Sequence, residues 1–224
     1  TRSTTSSTTK AQQVLPRQHN KHHHDMSILI AGFEPFGSET QNPALLAVNS
    51  LQDTIGNHTI HKAQLPVVYH ESWQVLHKEI DRVKPKYVIV VGQAGGRPCI
   101  TIERDAINVD DTDTLADNKG NLPKDAPIVE GGPHGYFTNL PFRSMIASIK
   151  NGGLPAAVSN DAGTFVCNHI FYQLMHYIYE GHHDMYGGFI HVPFVTEQVV
   201  SKPAQPSQPL CQITRALELA IGGL

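Results

Sequence analysis

The sequence predicts an α/β protein: a three-layer α/β/α single domain with a mostly parallel, mixed central sheet over residues 26–224. Short apolar runs alternate with amphipathic stretches along this part of the chain, which is the order that βαβ units produce. With 224 residues, 40% of them hydrophobic, the chain is long enough to bury a core of ordinary size. In open sheets of this class, sites form where strand ends meet helix starts.

Residues 1–25 differ in composition from the rest of the chain. They are rich in Ser, Thr and Gln, follow no apolar periodicity, and lack the apolar stretch of a secretory signal. Because such a segment cannot bury enough surface to fold, it is predicted to be a disordered leader or a cloning remnant, with Met26 as the natural start.

The strands are predicted from short apolar runs that end at Gly, Pro or polar turns. The first is Ser27–Phe33 (SILIAGF), and the clearest is 86–93 (KYVIVVGQ), which is β-branched and bounded by Pro85 and a glycine cluster. Residues 100–111 alternate in part between apolar and polar and predict a strand or a hairpin. The other predicted strands are 61–69, 155–160 and 185–194.

The helices are predicted from apolar residues that recur every three or four positions. Residues 42–52 begin with Asn42 as N-cap and Pro43 at the first helical position, and residues 140–153 end at two glycines. The other predicted helices are 70–83, 164–180 and 208–224. Cys211, in the last of these, is predicted to lie in the core.

Composition excludes several classes of function. A net charge of −3 gives no basic field for nucleic acid or an anionic membrane, and no apolar run approaches the roughly 20 residues that span a bilayer. Cys99, Cys167 and Cys211 are widely spaced, which predicts reduced thiols rather than a disulfide framework. The 14 histidines include no HExxH, and the tracts at 22–24 and 182–183 lack partners at ligand spacing, so no metal site is predicted.

Cys167 is the leading candidate for chemistry. It lies in the first turn of the predicted helix 164–180, behind Thr164 as a candidate N-cap. The helix macrodipole and the free N–H groups there favour a thiolate, and these N–H groups are also potential oxyanion donors. Position alone leaves open that Cys167 is a buried packing residue, which is the commonest role of a free cysteine.

A nucleophilic cysteine needs a base, and His191 is the best placed histidine. It lies near the end of a predicted strand, at the same edge of the sheet as the start of the cysteine helix. His169 and His176 are rivals, but their helical positions point them away from Cys167. Glu103 either orients the imidazole of His191 or forms a salt bridge with Arg97 or Arg104, and the residues alone favour the salt bridge.

The loop GFEPFG (32–37) follows the first strand. It lacks the lysine of a phosphate loop, and VGQAGGR (91–97) misses the GxGxxG pattern, so nucleotide binding is not predicted. Phe33 and Phe36 either line an apolar pocket or pack back against their own helix, and the sequence chemistry favours neither.

Three segments together resemble the pyroglutamyl-peptidase I (pyrrolidone-carboxylate peptidase) family of cysteine peptidases. They are GFEPFG (32–37), SNDAGTFVCNH (159–169) and GFIHVPF (188–194), and TIERDAINVDD (101–111) also resembles the glutamate motif of that family. The resemblance covers residues 26–224. It implies a cysteine exopeptidase that hydrolyses the amide bond after an N-terminal pyroglutamate residue through a thiol acyl-enzyme.

The resemblance also implies the roles of individual residues. Cys167 is the expected nucleophile, His191 the base and then the acid, and Glu103 the orienter of the imidazole. Phe33 and Phe36 are expected to line the substrate pocket. Gln93, at the end of its strand, is expected to add a polar contact.

The family implies no metal and no organic cofactor, a cytoplasmic location, and a homo-oligomer, either a dimer or a tetramer. Some members carry an arginine in the loop after the glutamate segment, where this chain has Asp113. That polar loop, residues 111–127, is predicted to act as a lid. Two alternatives stay open: a thiol amidase for another small amide, and a catalytically silent protein that binds pyroglutamyl peptides.

Overall fold

A seven-stranded sheet forms the centre of the structure, a computed structural model that describes residues 26–224. The predicted leader and its histidine tract at 22–24 lie outside the described residues. The described residues form eleven strands, of which seven belong to this main sheet and four to two small sheets. The strands are β1 (Ser27–Phe33), β2 (Thr54–Ile55), β3 (His58–Leu65), β4 (Tyr87–Gln93), β5 (Ile100–Glu103), β6 (Asp105–Ile107), β7 (Gly135–Phe137), β8 (Ala156–Ser159), β9 (Tyr186–Val192), β10 (Phe194–Val195) and β11 (Ser207–Gln208). The order in the main sheet is β2-β3-β1-β4-β9-β5-β8.

Most pairs in the sheet are parallel. Strands β3, β1, β4 and β9 run in one direction, while β5 is antiparallel to β9 and parallel to the edge strand β8. The central strands β1 and β4 are buried along almost their whole length, which explains their nearly continuous apolar sequences. Strands β6 and β7 form a separate two-stranded sheet, so the predicted strand 100–111 is two strands in two sheets.

Helices cover both faces of the sheet. They are α1 (Pro43–Ser50), α2 (Glu71–Val83), α3 (Phe142–Asn151), α4 (Val166–Tyr179) and α5 (Leu210–Gly222). The core on one face is built with residues from α1, α3 and α5, and the core on the other with residues from α2 and α4. The predicted three-layer α/β/α architecture is therefore confirmed. Among the described residues, no helix has the length and apolar character needed to cross a bilayer.

Two predictions of local structure are wrong. Cys211 is exposed and not in the core, because α5 buries the face that carries Ile213, Leu217 and Ala220. Thr164 is not the N-cap of α4: the helix begins at Val166, and the Thr164 hydroxyl donates to the Asp111 carbonyl at 2.7 Å instead.

Candidate active site

The predicted chemistry meets at one edge of the sheet, where β4 and β9 end and α4 begins. Gly92 of β4 and His191 of β9 are register partners in adjacent parallel strands, so any side chains at these two positions point to the same face. A β-carbon at Gly92 would lie 2.8 Å from the Sγ atom of Cys167. Only glycine therefore leaves room for the thiol, which lies over β4 beside the strand that carries His191.

Cys167 is the second residue of α4, a helix whose first turn has no side-chain cap. The backbone N–H groups of Val166, Cys167 and Asn168 find no carbonyl partner within residues 26–224. The first N–H groups of a helix have no intrahelical acceptor. They are therefore free to donate to an oxyanion that forms next to the thiol.

His191 is held by Glu103 from the neighbouring strand. The antiparallel pairing of β5 with β9 places Thr101 opposite His191 and leaves Glu103, two residues further, on the same face. The His191 Nδ1 and Glu103 Oε1 atoms are 2.7 Å apart, and both residues are buried. This contact fixes the tautomer with the proton on Nδ1, so Nε2 is left as an acceptor.

Glu103 also forms the salt bridge that the sequence left as its alternative role. Arg97 Nη1 donates to the same Oε1 atom at 2.6 Å and to the Thr101 hydroxyl at 2.7 Å. Arg97 Nη2 donates to the Asp161 carbonyl at 2.7 Å. Glu103 therefore contacts His191 and Arg97 together, whereas Arg104 lies over the ring of Phe142.

The electrostatics of the three groups favour a neutral resting pair. Burial raises the pKa of the Cys167 thiol to about 12, and the charge of Glu103 adds to the effect. Burial lowers the pKa of His191 below its ordinary 6.5, although Glu103 opposes this. Burial therefore opposes the thiolate that the helix position favours, and the charge of Arg97 offsets this only in part.

Glu103 is the charged member of the site. Burial alone would raise its pKa, but the hydrogen bond and charge of His191 and the contact with Arg97 outweigh it, and the net pKa lies below the ordinary 4.5. The carboxylate is therefore ionised at neutral pH. Its negative charge is placed to stabilise an imidazolium at His191 when the thiol proton is transferred.

The rival histidines are engaged elsewhere. His169 Nδ1 lies 2.9 Å from Asp110 Oδ2, and its Nε2 accepts from the His70 N–H at 3.2 Å. His176 Nδ1 lies 2.8 Å from the Tyr136 hydroxyl. His169 and Asp110 thus form a second buried histidine–carboxylate pair that is not directed at Cys167, which makes them matched controls for His191 and Glu103.

A small pocket opens beside Cys167. Its walls are Phe33, Phe36, Asn42, Val67, Gln93, Phe165 and Val166. It holds about 220 Å³ of empty space. The pocket reading of Phe33 and Phe36 is the one that the structure supports.

Phe165 is a pocket residue that the sequence analysis missed. It packs against Phe36 at 5.9 Å between ring centroids and edge-on against Tyr69 at 5.5 Å. The available signal was its position two residues before Cys167, where a large apolar side chain precedes a helix. Arg97 was considered only as an alternative partner of Glu103, and its simultaneous contact was not foreseen.

The polar loop 111–127 is fastened to the rest of the protein rather than free. Asp117 accepts hydrogen bonds from the backbone N–H groups of Tyr69, Lys119 and Asn121. Asn118 donates to Glu34 Oε1 at 2.9 Å, which ties the loop to the GFEPFG segment. The loop is therefore held in place by hydrogen bonds in this structure, whereas the sequence predicted a lid. Asp113 pairs with Lys124 at the surface, and the guanidinium at the candidate active site belongs to Arg97.

No metal centre is evident in the described part of the chain. Residues 26–224 contain no group of three or more His, Cys, Asp or Glu side chains that could hold a metal ion.

We expect Glu103→Gln to lower kcat/KM by about 10- to 100-fold, because this factor corresponds to the free energy of one buried charge-assisted hydrogen bond. Glutamine keeps the acceptor oxygen but removes the negative charge that raises the pKa of His191. The pKa of His191 should fall further, so the acidic limb of a kcat/KM profile should move to lower pH. Asp110→Asn is the matched control, and wild-type rates for Glu103→Gln would leave Glu103 only as the salt-bridge partner of Arg97.

Comparison with known proteins agrees with this geometry. The pyroglutamyl peptidase family profile matches residues 26–223. A pyrrolidone-carboxylate peptidase of Bacillus cereus (strain Q1) is 48% identical over 196 residues, covering 87% of this chain and 91% of the relative. The crystal structure of pyroglutamyl peptidase I from Bacillus amyloliquefaciens superposes with a TM-score of 0.86 at 45% identity, over 89% of this chain and 94% of that one.

A more distant solved structure has the same fold. A mutant pyrrolidone carboxyl peptidase from the hyperthermophile Pyrococcus furiosus matches with a TM-score of 0.84 at 36% identity, over 88% of this chain and 97% of that one. The family match spans nearly all the described residues, and the similarity extends through both sequence and structure. This chain belongs to the pyroglutamyl peptidase family.

Proposed function

We propose that this protein is a cysteine exopeptidase that hydrolyses the amide bond after an N-terminal pyroglutamate residue. One observation carries the proposal: the Cys167 thiol lies over Gly92, next to the strand that carries His191, and lines a small, largely apolar pocket. Pyroglutamate is a compact uncharged lactam, so it suits aromatic walls with few polar contacts. A charged amino terminus would lose its hydration there without a counter-ion, which disfavours ordinary peptides.

The reaction follows from the neutral resting pair. The Nε2 atom of His191 takes the thiol proton as Sγ of Cys167 attacks the carbonyl carbon of the pyroglutamyl residue. The tetrahedral oxyanion is stabilised by N–H groups of the first turn of α4. Glu103 stabilises the imidazolium, which then gives its proton to the departing amine. Water, deprotonated by His191, hydrolyses the thioester, and the proton returns to the thiol.

The same proposal covers the partners and the location. The substrates are peptides that begin with pyroglutamate, and neither nucleic acid nor a membrane takes part. The three free thiols are in keeping with a reducing compartment, so we place the protein in the cytoplasm. We also propose a homo-oligomer, either a dimer or a tetramer, as the family resemblance implies.

The test is release of a fluorogenic amine from a pyroglutamyl-amide, with a prolyl-amide as the control and iodoacetamide as the thiol reagent. The proposal expects cleavage of the first substrate only, abolished by alkylation. Thiol-sensitive cleavage of another small amide instead would identify a different thiol amidase. Binding of a pyroglutamyl peptide without turnover by the folded protein would identify a binding protein.

A further inference from the structure

A buried glutamine, Gln198, stands behind the pocket and contacts one of its walls. It lies in the short 3₁₀ turn Thr196–Val199, which follows β10, and its side chain is only 8% exposed. Its Nε2 atom donates to Gln93 Oε1 at 2.9 Å. Neither the sequence motifs nor the reaction described above uses this residue.

The surroundings of Gln198 fix which end of its amide faces Gln93. Its Oε1 atom accepts from the Val195 N–H at 3.0 Å, and a backbone N–H can only donate. On the other side, its Nε2 atom lies 3.1 Å from a Glu39 carboxylate oxygen and 3.3 Å from the Gln41 carbonyl oxygen. Both of these oxygens can only accept a hydrogen bond. Lys202 pairs with the other Glu39 oxygen at 2.7 Å. A flipped Gln198 amide would break every one of these contacts.

The orientation of Gln198 determines that of Gln93. Because Gln93 Oε1 accepts from Gln198, its NH₂ group is the end left to face the pocket. The other amide in the wall is already engaged: Asn42 Oδ1 caps α1 by accepting from the Ala44 N–H, and its Nδ2 donates to the Glu34 carbonyl. Gln93 is therefore a wall side chain whose NH₂ group has no hydrogen-bond partner among the described residues.

We propose that Gln198 is a positioning residue that sets the donor polarity of the pocket through Gln93. A donor at this point pairs with the ring carbonyl of a lactam, whereas a prolyl residue has a methylene at that position, next to its charged ring NH₂⁺, and offers the donor no acceptor. The relay therefore selects pyroglutamyl over prolyl residues, which have the same ring size. This inference rests on the proposed function and extends it to the basis of its selectivity.

The test compares Gln198→Glu with wild type on a pyroglutamyl-amide and a prolyl-amide. The new carboxylate faces the Glu39 carboxylate, whose charge is paired with Lys202, and it can only accept from Gln93, so the Gln93 amide should turn and present its oxygen to the pocket. We expect kcat/KM for the pyroglutamyl-amide to fall about 10- to 100-fold, mainly through KM, because a buried carbonyl is left facing an acceptor. Activity on the prolyl-amide should not fall, so the selectivity ratio drops by a similar factor.

Three further variants separate positioning from a structural effect. Gln205→Glu adds the same charge at an exposed position of the segment that follows the 3₁₀ turn and should leave both rates unchanged. Gln198→Met, which removes the constraint without reversing it, should give a smaller loss. In a Gln93→Ala background, Gln198→Glu should cause no further rise in KM, because its effect passes through Gln93.

An equal loss for both substrates, or a loss that persists in the Gln93→Ala background, would overturn the positioning role. Affinity gives an independent readout: titration calorimetry of Cys167→Ser with a pyroglutamyl and a prolyl peptide. Gln198→Glu should reduce only the first affinity. If wild type cleaves neither amide but this pattern is found, the proposed function fails and the positioning role stands. If wild type cleaves but the pattern is missing, only the positioning role fails.

Discussion

Replacement of Cys167 by serine is expected to reduce kcat/KM for a pyroglutamyl-amide by at least about 10⁴-fold while the fold is retained. Serine fits the space above Gly92, where the thiol already lies within contact distance of the strand. An alcohol is far harder to deprotonate than a thiol, and the pKa of the thiol is already raised to about 12 by its burial. The His191 imidazole would then be too weak a base to activate the oxygen.

Steady-state kinetics with a fluorogenic amide, together with circular dichroism, measures this effect. Cys211→Ser is the matched control, because Cys211 is exposed and remote from the chemistry, and it should retain full activity. In that background, alkylation of Cys167 by iodoacetamide should accelerate as the pH rises, since the thiolate fraction grows toward a pKa of about 12. Appreciable turnover by Cys167→Ser would remove Cys167 from the role of nucleophile.

The accuracy of the fold prediction varied with burial. Strand β1 has the predicted bounds, because a central parallel strand is apolar throughout and ends at a loop. Strand β3 spans His58–Leu65 instead of 61–69, since Pro66 ends the strand and its half-exposed residues follow no clear pattern at the start. The separation of β5 from β6 follows from pairing with distant strands, which no local pattern records.

The site was predicted as a set of residues but not as a network. His191 contacts Glu103, and Cys167 lies over the strand next to them, but this arrangement depends on the antiparallel placement of β5 beside β9. Sequence spacing does not reveal that order. The contact between Gln198 and Gln93 spans 105 positions and was invisible for the same reason. The raised pKa of the Cys167 thiol could not be predicted, because the helix position is a local signal, whereas the burial of the thiol is a property of the whole fold.

His191→Ala is expected to lower kcat/KM by about 10³- to 10⁴-fold, because it removes both the base for the thiol and the acid for the leaving amine. The wild-type enzyme should lose activity as the pH falls through the pKa of His191, which lies below its ordinary 6.5. In the His191→Ala variant, this acidic limb of the kcat/KM profile should be absent. Its residual rate should instead rise steadily with pH as the thiolate of Cys167 forms without help.

The second histidine–carboxylate pair provides the control for this experiment. His169 is as buried as His191 and contacts Asp110 as His191 contacts Glu103, but its other ring nitrogen is already occupied by the His70 N–H. His169→Gln should therefore lower the melting temperature yet leave kcat/KM within a few-fold of wild type. The opposite result would be that His191→Ala keeps the wild-type kcat/KM and its acidic limb, while His169→Gln loses both with the fold intact. The base would then have to be His169. The neutral thiol of Cys167 would then need a route to a ring on the far side of its own helix.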